Sequence, residues 1–358
     1  MRSLVSHLIF LLAASTLPAT AIAEKLPRSG HAAPSHHAYA GRADAMLLAQ
    51  DMAARHQWDV DWVRDVIGQA RFLPQVPPLM LPSGAAGAKN WQLYRSRFVE
   101  PVRIRAGVRF WKKYRATLAQ AEHLYGVPAE IIVGIIGVET LYGQQMGNFR
   151  VIDALATLAF DFPSAHPRAQ ARQAYFQGEL EQLLTLAQQT GINPLVPRGS
   201  YAGAMGLGQF MPSSWVRYAV DGNGDGHIDL FDNVPDAIHS VANYFVAHGW
   251  HPGMPTHYPI EFNPAGVDLE TLLAPDIRPT FSARDMDEHG VQLGATGQAH
   301  GGLLALIELK NGQQPATYVA GTDNFYAITR YNWSSYYAMA VIELGQAVQQ
   351  ALRQRAAP

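Results

Sequence analysis

Val127-Pro128-Ala129-Glu130-Ile131-Ile132-Val133-Gly134-Ile135-Ile136-Gly137-Val138-Glu139-Thr140-Leu141-Tyr142-Gly143 is the stretch that decides the fold. Eight almost uninterrupted apolar or glycine positions, Ile131 to Val138, precede a single carboxylate at Glu139. Such a run predicts a helix buried nearly all round, hence the central helix of a large α-rich core. Gly126 should end the helix before it, Pro128 sits where a first helical position tolerates it, and Gly143 should close the helix one turn past Glu139. Within that helix Glu139 lies beside Ile135 and Ile136 of the preceding turn. Desolvation disfavours the ionised carboxylate, and the negative end of the helix dipole acts in the same direction. Both raise its pKa toward what a proton donor near neutral pH requires. A structural glutamate, bonded to backbone or to an arginine, is the reading this stretch alone leaves open.

Outward from this helix, residues 107 to 124 read as one long amphipathic helix. Met46, Leu47, Met52, Val60, Trp62, Val63, Val66 and Ile67 recur at helical spacing, giving two short helices between Ala43 and about Gln69. A proline-rich loop follows at 74 to 82. Further helices are readable at about 168 to 190, 212 to 220, 236 to 248 and 333 to 354. The stretch 252 to 322 is punctuated by Pro and Gly and holds short candidate strands at 258 to 262, 303 to 309 and 316 to 319. It reads as a small β insertion, and no internal repeat is present.

The amino-terminal residues 1 to 23 have the form of a cleaved secretory signal. Arg2 leads, Leu8 to Ala14 are apolar but too few to span a bilayer, and Ala21-Ile22-Ala23 has the small-x-small form of a cleavage site. Residues 24 to 40, rich in Pro, Ala, Ser, Gly and His, read as a disordered lead-in, with His36-His37 a solvated pair rather than a metal site. The expected location is therefore the periplasm, without a transmembrane segment in the mature chain. The sequence has no cysteine, which removes disulfides, thiolate catalysis, cysteine-ligated zinc and a lipidated cysteine. A formal net charge of −2 argues against nucleic acid as the main partner. At 358 residues, 48% of them hydrophobic, the chain can bury more than one core.

Two further motifs carry chemistry. Ser200 to Pro212 places Gly203, Gly206 and Gly208 close together, followed by Gln209 and Phe210. Glycines admit a ligand close to the backbone, and a glutamine amide offers both donors and acceptors to a polar ligand. Close packing through small residues is the plainer alternative. Asp221-Gly222-Asn223-Gly224-Asp225-Gly226-His227-Ile228-Asp229-Leu230-Phe231-Asp232 fits an EF-hand loop, with oxygen ligands at positions 1, 3, 5, 9 and 12, glycine at 6 and an apolar residue at 8. Asp221, Asn223, Asp225 and Asp232 would bind calcium by side chain, His227 by its carbonyl, and Asp229 directly or through water. Asp232 replaces the usual glutamate, and its shorter arm makes bidentate ligation harder. One such loop reads as a structural clip rather than a sensor. The remaining histidines show no ligand spacing.

From about residue 42 to 352 the chain resembles the lytic murein transglycosylase B family. The matching stretches are Gly126 to Thr140, Asp153 to Leu158, Gly199 to Ser214, the acidic loop 221 to 232, Ser240 to Phe245, and Asn324-Phe325-Tyr326 through Thr329-Arg330-Tyr331-Asn332. The resemblance implies a mainly α (α+β) fold: a lysozyme-like catalytic core with an α-helical domain and a small β insertion domain. Its implied division is 41 to 122 with the carboxy-terminal helix 340 to 358 for the α-helical domain, 123 to 251 with 323 to 339 for the core, and 252 to 322 for the β domain. It places the catalytic glutamate at Glu139, and Tyr94, Ser200, Gln209, Phe210, Tyr244, Tyr331, Asn332 and Tyr337 along the cleft. Tyrosines offer flat apolar faces to pyranose rings, although each taken singly is more often a core residue. Arg172 aligns with a substrate-contacting arginine, but Phe162 to Pro167 is longer than usual and Ala171 stands where a second arginine is common.

The implied reaction is cleavage of the glycosidic bond between N-acetylmuramic acid and N-acetylglucosamine in peptidoglycan strands. Glu139 serves as acid, then as base, closing a 1,6-anhydro ring on the muramoyl residue. Ordinary glycosidases need two carboxylates. Asp153 and Asp161 are the other candidates, and each reads better as capping or ending a helix. A hydrolytic muramidase with the same Glu139, or a calcium-dependent peptidoglycan-binding protein without activity, are the alternatives. The expected state is a monomer with structural calcium, no organic cofactor, and cell-wall synthesis or secretion-system proteins as possible partners.

Overall fold

A computed structural model describes residues 39–82, 89–263 and 265–354. The signal peptide and nearly all of the lead-in expected at 1 to 40 lie outside the described residues. The first helices are α1 (Ala43–His56) and α2 (Val60–Gly68), as the periodicity predicts. Asp59 caps α2, accepting hydrogen bonds from the backbone of Asp61 and Trp62. The proline-rich loop holds a single turn, α3 (Val76–Leu79), because Pro77 and Pro78 sit in a first turn that needs no N–H from them.

After α4 (Trp91–Ser96), the helix expected at 107 to 124 is two: α5 (Pro101–Lys113) and α6 (Arg115–Tyr125). They break at Tyr114, whose φ of −109° and ψ of 26° leave the helical region. Continuing straight would leave part of one apolar face without a partner. The break lets α5 bury Val108, Phe110 and Trp111 while α6 buries Leu118 and Ala121 elsewhere. Glu100 starts α5 by accepting from the backbone of Val102 and Arg103.

The apolar stretch forms α7 (Ala129–Thr140), buried from Ile131 to Val138. Gly126 ends α6 at φ +66°, as expected, whereas Pro128 is the cap rather than the first helical residue. Gly143 does not end the helix. Leu141 does so earlier, at φ 50°, with Tyr142 also left-handed at φ 57°. Against α7 runs α16 (Ser335–Gln354). A Cβ at Gly345 would stand 2.0 Å from the Glu130 carbonyl, and one at Gly134 would stand 2.3 Å from that of Val341. These glycines let two backbones touch, which fixes where Glu139 and Tyr337 meet. The division expected at residue 340 cuts through this unbroken helix.

Between α7 and α16 the chain runs through β1 (Phe149–Arg150), α8 (Val151–Phe160), α9 (Ala169–Thr190), β2 (Arg198–Gly199), α10 (Pro212–Tyr218) and α11 (Val234–Ala247). β1 and β2 pair as a short antiparallel ribbon. Next come β3 (His257–Phe262), α12 (Leu269–Leu273), α13 (Ala283–Glu288), β4 (Val291–Leu293), α14 (Ala295–Gln298), β5 (Ala305–Asn311), β6 (Gln314–Gly321) and α15 (Asp323–Thr329). The three expected strands are present in an antiparallel sheet of order β4-β3-β6-β5. β4 has only three residues, too few to show alternation, yet Val291 and Leu293 point inward. Leu272, Met286, Val291, Leu304, Leu306 and Ala320 form a small core under this sheet, separate from the main core around α7.

Candidate active site

The last turn of α7 sets the partly exposed Glu139 among aromatic rings. Its carboxylate accepts a hydrogen bond from the hydroxyl of Tyr337, which α16 brings alongside. Glu139 is half-buried, so its carboxylate is held in a low dielectric but not sealed. Burial pushes its pKa from 4.5 up to about 7, against the opposing pull of the Tyr337 hydroxyl. No other carboxylate contributes to that shift, and no arginine neutralises the acid. Burial first, and the nearby Glu139 charge second, raise the pKa values of Tyr94, Tyr331 and Tyr337.

The rings form a continuous wall. Tyr331 stacks on Tyr337 with centroids 6.5 Å apart, and Phe210 and Tyr244 approach Tyr331 at 6.0 and 4.7 Å. Tyr331 also donates to the Gly208 carbonyl (2.5 Å), and Tyr244 to that of Arg330 (2.7 Å). Tyr337 is wholly buried, and Phe210 and Tyr244 nearly so. Their faces are spent on one another, so these three shape and dry the pocket rather than offering flat platforms. Tyr94 and Tyr331 keep partial exposure, while Asn332 is buried.

The glycine-rich loop joins the wall through Phe210 and the Gly208 carbonyl. Met205 and Phe210 exchange two backbone hydrogen bonds of 2.9 Å, which closes the loop. Ser200 Oγ accepts from the backbone of Ala202 and Ala204, bracing the approach. Gln209, at φ 51°, donates its amide to the carbonyls of Met146 and Gly206, which leaves its Oε1 as the acceptor not used by them. Thr140, next to the acid, donates to the Leu207 carbonyl (2.9 Å) and ties α7 to this loop. Arg172 on α9 is buried, with its guanidinium over Tyr175 and Phe176 at 5.8 and 5.7 Å. It flanks Tyr201 of the loop rather than Glu139.

The acidic loop abuts the glycine-rich one. Leu207 donates to the Leu230 carbonyl (2.8 Å), and a Cβ at Gly206 would stand 2.4 Å from that same oxygen. Asp221 accepts from the amides of Gly224, Asp225 and Gly226, and Asp225 from that of His227. Asp229 accepts from Phe231 and Asp232. The carboxylates thus engage the loop's own amides, and among the described residues no three acidic or histidine side chains gather closely enough to hold a metal. The residues nevertheless fit a hard cation: three oxygen donors alternate along Asp221, Asn223 and Asp225, and Gly224 and Gly226 take the left-handed turns at φ 75° and 86°.

Sequence reasoning missed three residues of this region. Asp236, fully buried, accepts from Gly222 and Asp229 and braces the acidic loop from α11. Its signal was an acid in the first turn after the Asn233 cap. Arg103 donates to the Gly137 carbonyl beneath the last turn of α7, and Thr140 joins α7 to the glycine-rich loop through the Leu207 carbonyl. Asp153 and Asp161 are committed elsewhere, to Arg150 and to Tyr39 and Arg42, and Asp161 ends α8 as expected.

Residues 42–346 match the family described as the Transglycosylase SLT domain. The chain is similar to membrane-bound lytic murein transglycosylase B of Escherichia coli (strain K12), being 42% identical over 333 residues, 87% of this chain and 84% of the relative. It superposes on the Escherichia coli lytic transglycosylase Slt35, solved in complex with calcium, at TM-score 0.78 and 40% identity, covering 90% of this chain and 100% of that one. SltB3 from Pseudomonas aeruginosa, solved in complex with NAG-anhNAM-pentapeptide, is similar at TM-score 0.69 and 28% identity over 85% of this chain and 78% of that one. The chain therefore belongs to the Transglycosylase SLT family and is a lysozyme-like peptidoglycan lytic transglycosylase.

Proposed function

We propose that Glu139 performs both proton transfers of the reaction. The observation that carries this reading is a half-buried carboxyl raised to a pKa of about 7 and bonded to a tyrosine hydroxyl, with no second acid acting on it among the described residues. Protonated Glu139 donates to the glycosidic oxygen between N-acetylmuramic acid and N-acetylglucosamine as the C1–O bond breaks. With no second carboxylate beside it, the acetamido group of the muramoyl residue stabilises the cationic C1. Ionised Glu139 then takes the proton from the C6 hydroxyl while its oxygen bonds to C1, closing the 1,6-anhydro ring. Tyr337 steadies the ionised form between the two steps.

Tyr94, Ser200, Gln209, Tyr331 and Asn332 contact the sugars in this reading, Phe210, Tyr244 and Tyr337 enclose them, and Arg172 supports the loop after Ser200. The ligand of SltB3 supports strands that carry their peptides as the substrate. Asp221, Asn223, Asp225 and Asp232, with the His227 carbonyl and Asp229, would hold calcium, whose charge rigidifies the loop on which Leu207 rests. The calcium complex of Slt35 supports that assignment. The fold divides into an α-helical unit, a core around α7 and the β unit with its own apolar centre. Export to the periplasm rests on residues 1 to 23. Among the described residues no single helix is long and apolar enough to cross a membrane, although α6 and α7 pass that test together as a pair bent by 116°.

Digestion of purified sacculi followed by mass spectrometry tests the reading. Anhydro-ended products, lighter by one water than reducing-end products, are expected from the natural chain and none from Glu139→Gln. Reducing-end products alone would make it a hydrolase, and an active Glu139→Gln would remove Glu139 from the mechanism.

A further inference from the structure

Beside the β1–β2 ribbon lies a cavity of about 450 Å³ whose lining includes Arg71, Gln75, Asn148, Arg150, Asp153 and Arg198. Asp153 is committed to Arg150, which grips it through Nε (2.9 Å) and Nη2 (2.6 Å). Arg71 and Arg198 are exposed, and among the described residues neither has a carboxylate within ion-pair distance. Arg198 donates instead to the Asn148 carbonyl (2.8 Å), which holds it in place. The cavity therefore carries uncompensated positive charge on a chain whose formal net charge is −2.

Its position ties it to the cleft. Arg198 lies two residues before Ser200, roughly 7 Å along extended chain. Asn148 lies two residues after Met146, whose carbonyl accepts the Gln209 amide. One ribbon thus carries the cavity at its side and leads into the floor of the cleft. The hydroxyls and acetamido groups of a glycan are neutral and give arginines little to pair with. Carboxylates on the peptide borne by each muramoyl residue are the anions a strand in the cleft would bring here, and a guanidinium fork matches their geometry.

We infer that this cavity binds carboxylates of the peptide attached to the muramoyl residue of the bound strand. The inference rests on the proposed seating of glycan over Glu139 and Gln209. The test compares strands carrying their peptides with strands stripped of them by an amidase, the lactyl carboxylates so freed being capped as neutral methylamides. The Arg71→Ala/Arg198→Ala double variant should raise KM roughly tenfold on peptide-bearing strands, from the loss of two partly solvated charge-assisted bonds. KM on stripped strands should not move, and Lys at both positions should restore most of the loss.

An unchanged KM on peptide-bearing strands, or an equal rise on both kinds, overturns the inference. Calorimetric titration with GlcNAc-MurNAc-tetrapeptide reads the cavity without turnover. Binding weakened by the double variant supports it even if neither kind of strand is cleaved, an outcome that would sink the catalytic reading instead. Binding left intact overturns it.

Discussion

Replacing Glu139 by glutamine should stabilise the protein, and by an amount that grows with pH. The folded state raises the pKa of this carboxyl from 4.5 to about 7, so it holds the proton more tightly than the unfolded chain does, a difference of ~3 kcal/mol. Below pH 4.5 both states are protonated and the group costs nothing. Between 4.5 and about 7 the unfolded chain releases its proton first, so stability falls as pH rises, and above that window the whole cost is present. Glutamine has nearly the same shape, can still accept from Tyr337, and never ionises. Urea unfolding of both forms at pH 4 and pH 9 should therefore show a small difference at the lower pH and an advantage of ~3 kcal/mol for Glu139→Gln at the higher. The inactive variant being the more stable is what a site strained for function predicts. An advantage that stays flat across this range would mean burial does not hold the carboxyl neutral, and the proton source would be lost.

Tyr337→Phe removes the hydroxyl that favours the ionised acid, so the pKa of Glu139 should rise by roughly one unit. The alkaline limb of kcat/KM, set by loss of the donated proton, should move to higher pH, and a pH profile of muropeptide release that stays in place would refute the assignment. Gly345→Ala puts a methyl 2.0 Å from the Glu130 carbonyl and should cost roughly 2–3 kcal/mol by forcing α16 off α7. Thermal unfolding reads that cost, and kcat should fall with it as Tyr337 shifts from Glu139. Saturating calcium should raise the melting temperature by roughly 5 °C. Chelator should reverse the rise and Asp225→Ala should abolish it, while an equal rise in that variant would place the ion elsewhere.

How much of this was legible depended on whether the signal was local. The apolar run of α7 and the acid that follows it, Glu139, could be read directly, because burial on all sides leaves no polar face to misplace. The alternating acids of 221 to 232 could be read as a pattern because their spacing is local, while the ion they would hold belongs to the proposal. The break at Tyr114 was not, because both halves keep helical periodicity and only the packing surface turns. Nor was the role of Tyr337. Sequence supports a tyrosine in the cleft, but whether it shows a face to sugar or only a hydroxyl to Glu139 depends on how closely α16 approaches α7, which two glycines far along the chain decide. Arg71 was invisible for a similar reason, since packing of α8 sets it beside Arg150 and Arg198 from a distant loop.

If Glu139 acts alone, as proposed, ring closure should outcompete water. Inverting hydrolysis needs a base placed to activate a water on the far side of C1, and Asp153 and Asp161 are held by Arg150 and Arg42; hydrolysis from the near face would need a water to displace the C6 hydroxyl beside Glu139. The C6 hydroxyl is tethered to the sugar it attacks, and such intramolecular nucleophiles reach effective concentrations of about 10⁵ M or more, far above that of water. What remains is a single group able to give a proton and take one back. An acid with a pKa near 4.5 would rarely hold the first proton at neutral pH, and one far above 7 would release it too slowly. The apolar turn of Ile135 and Ile136 pushes Glu139 up, and the Tyr337 hydroxyl limits the rise. In the proposed mechanism, the pairing of a greasy helix with one buried tyrosine would set both halves of the reaction.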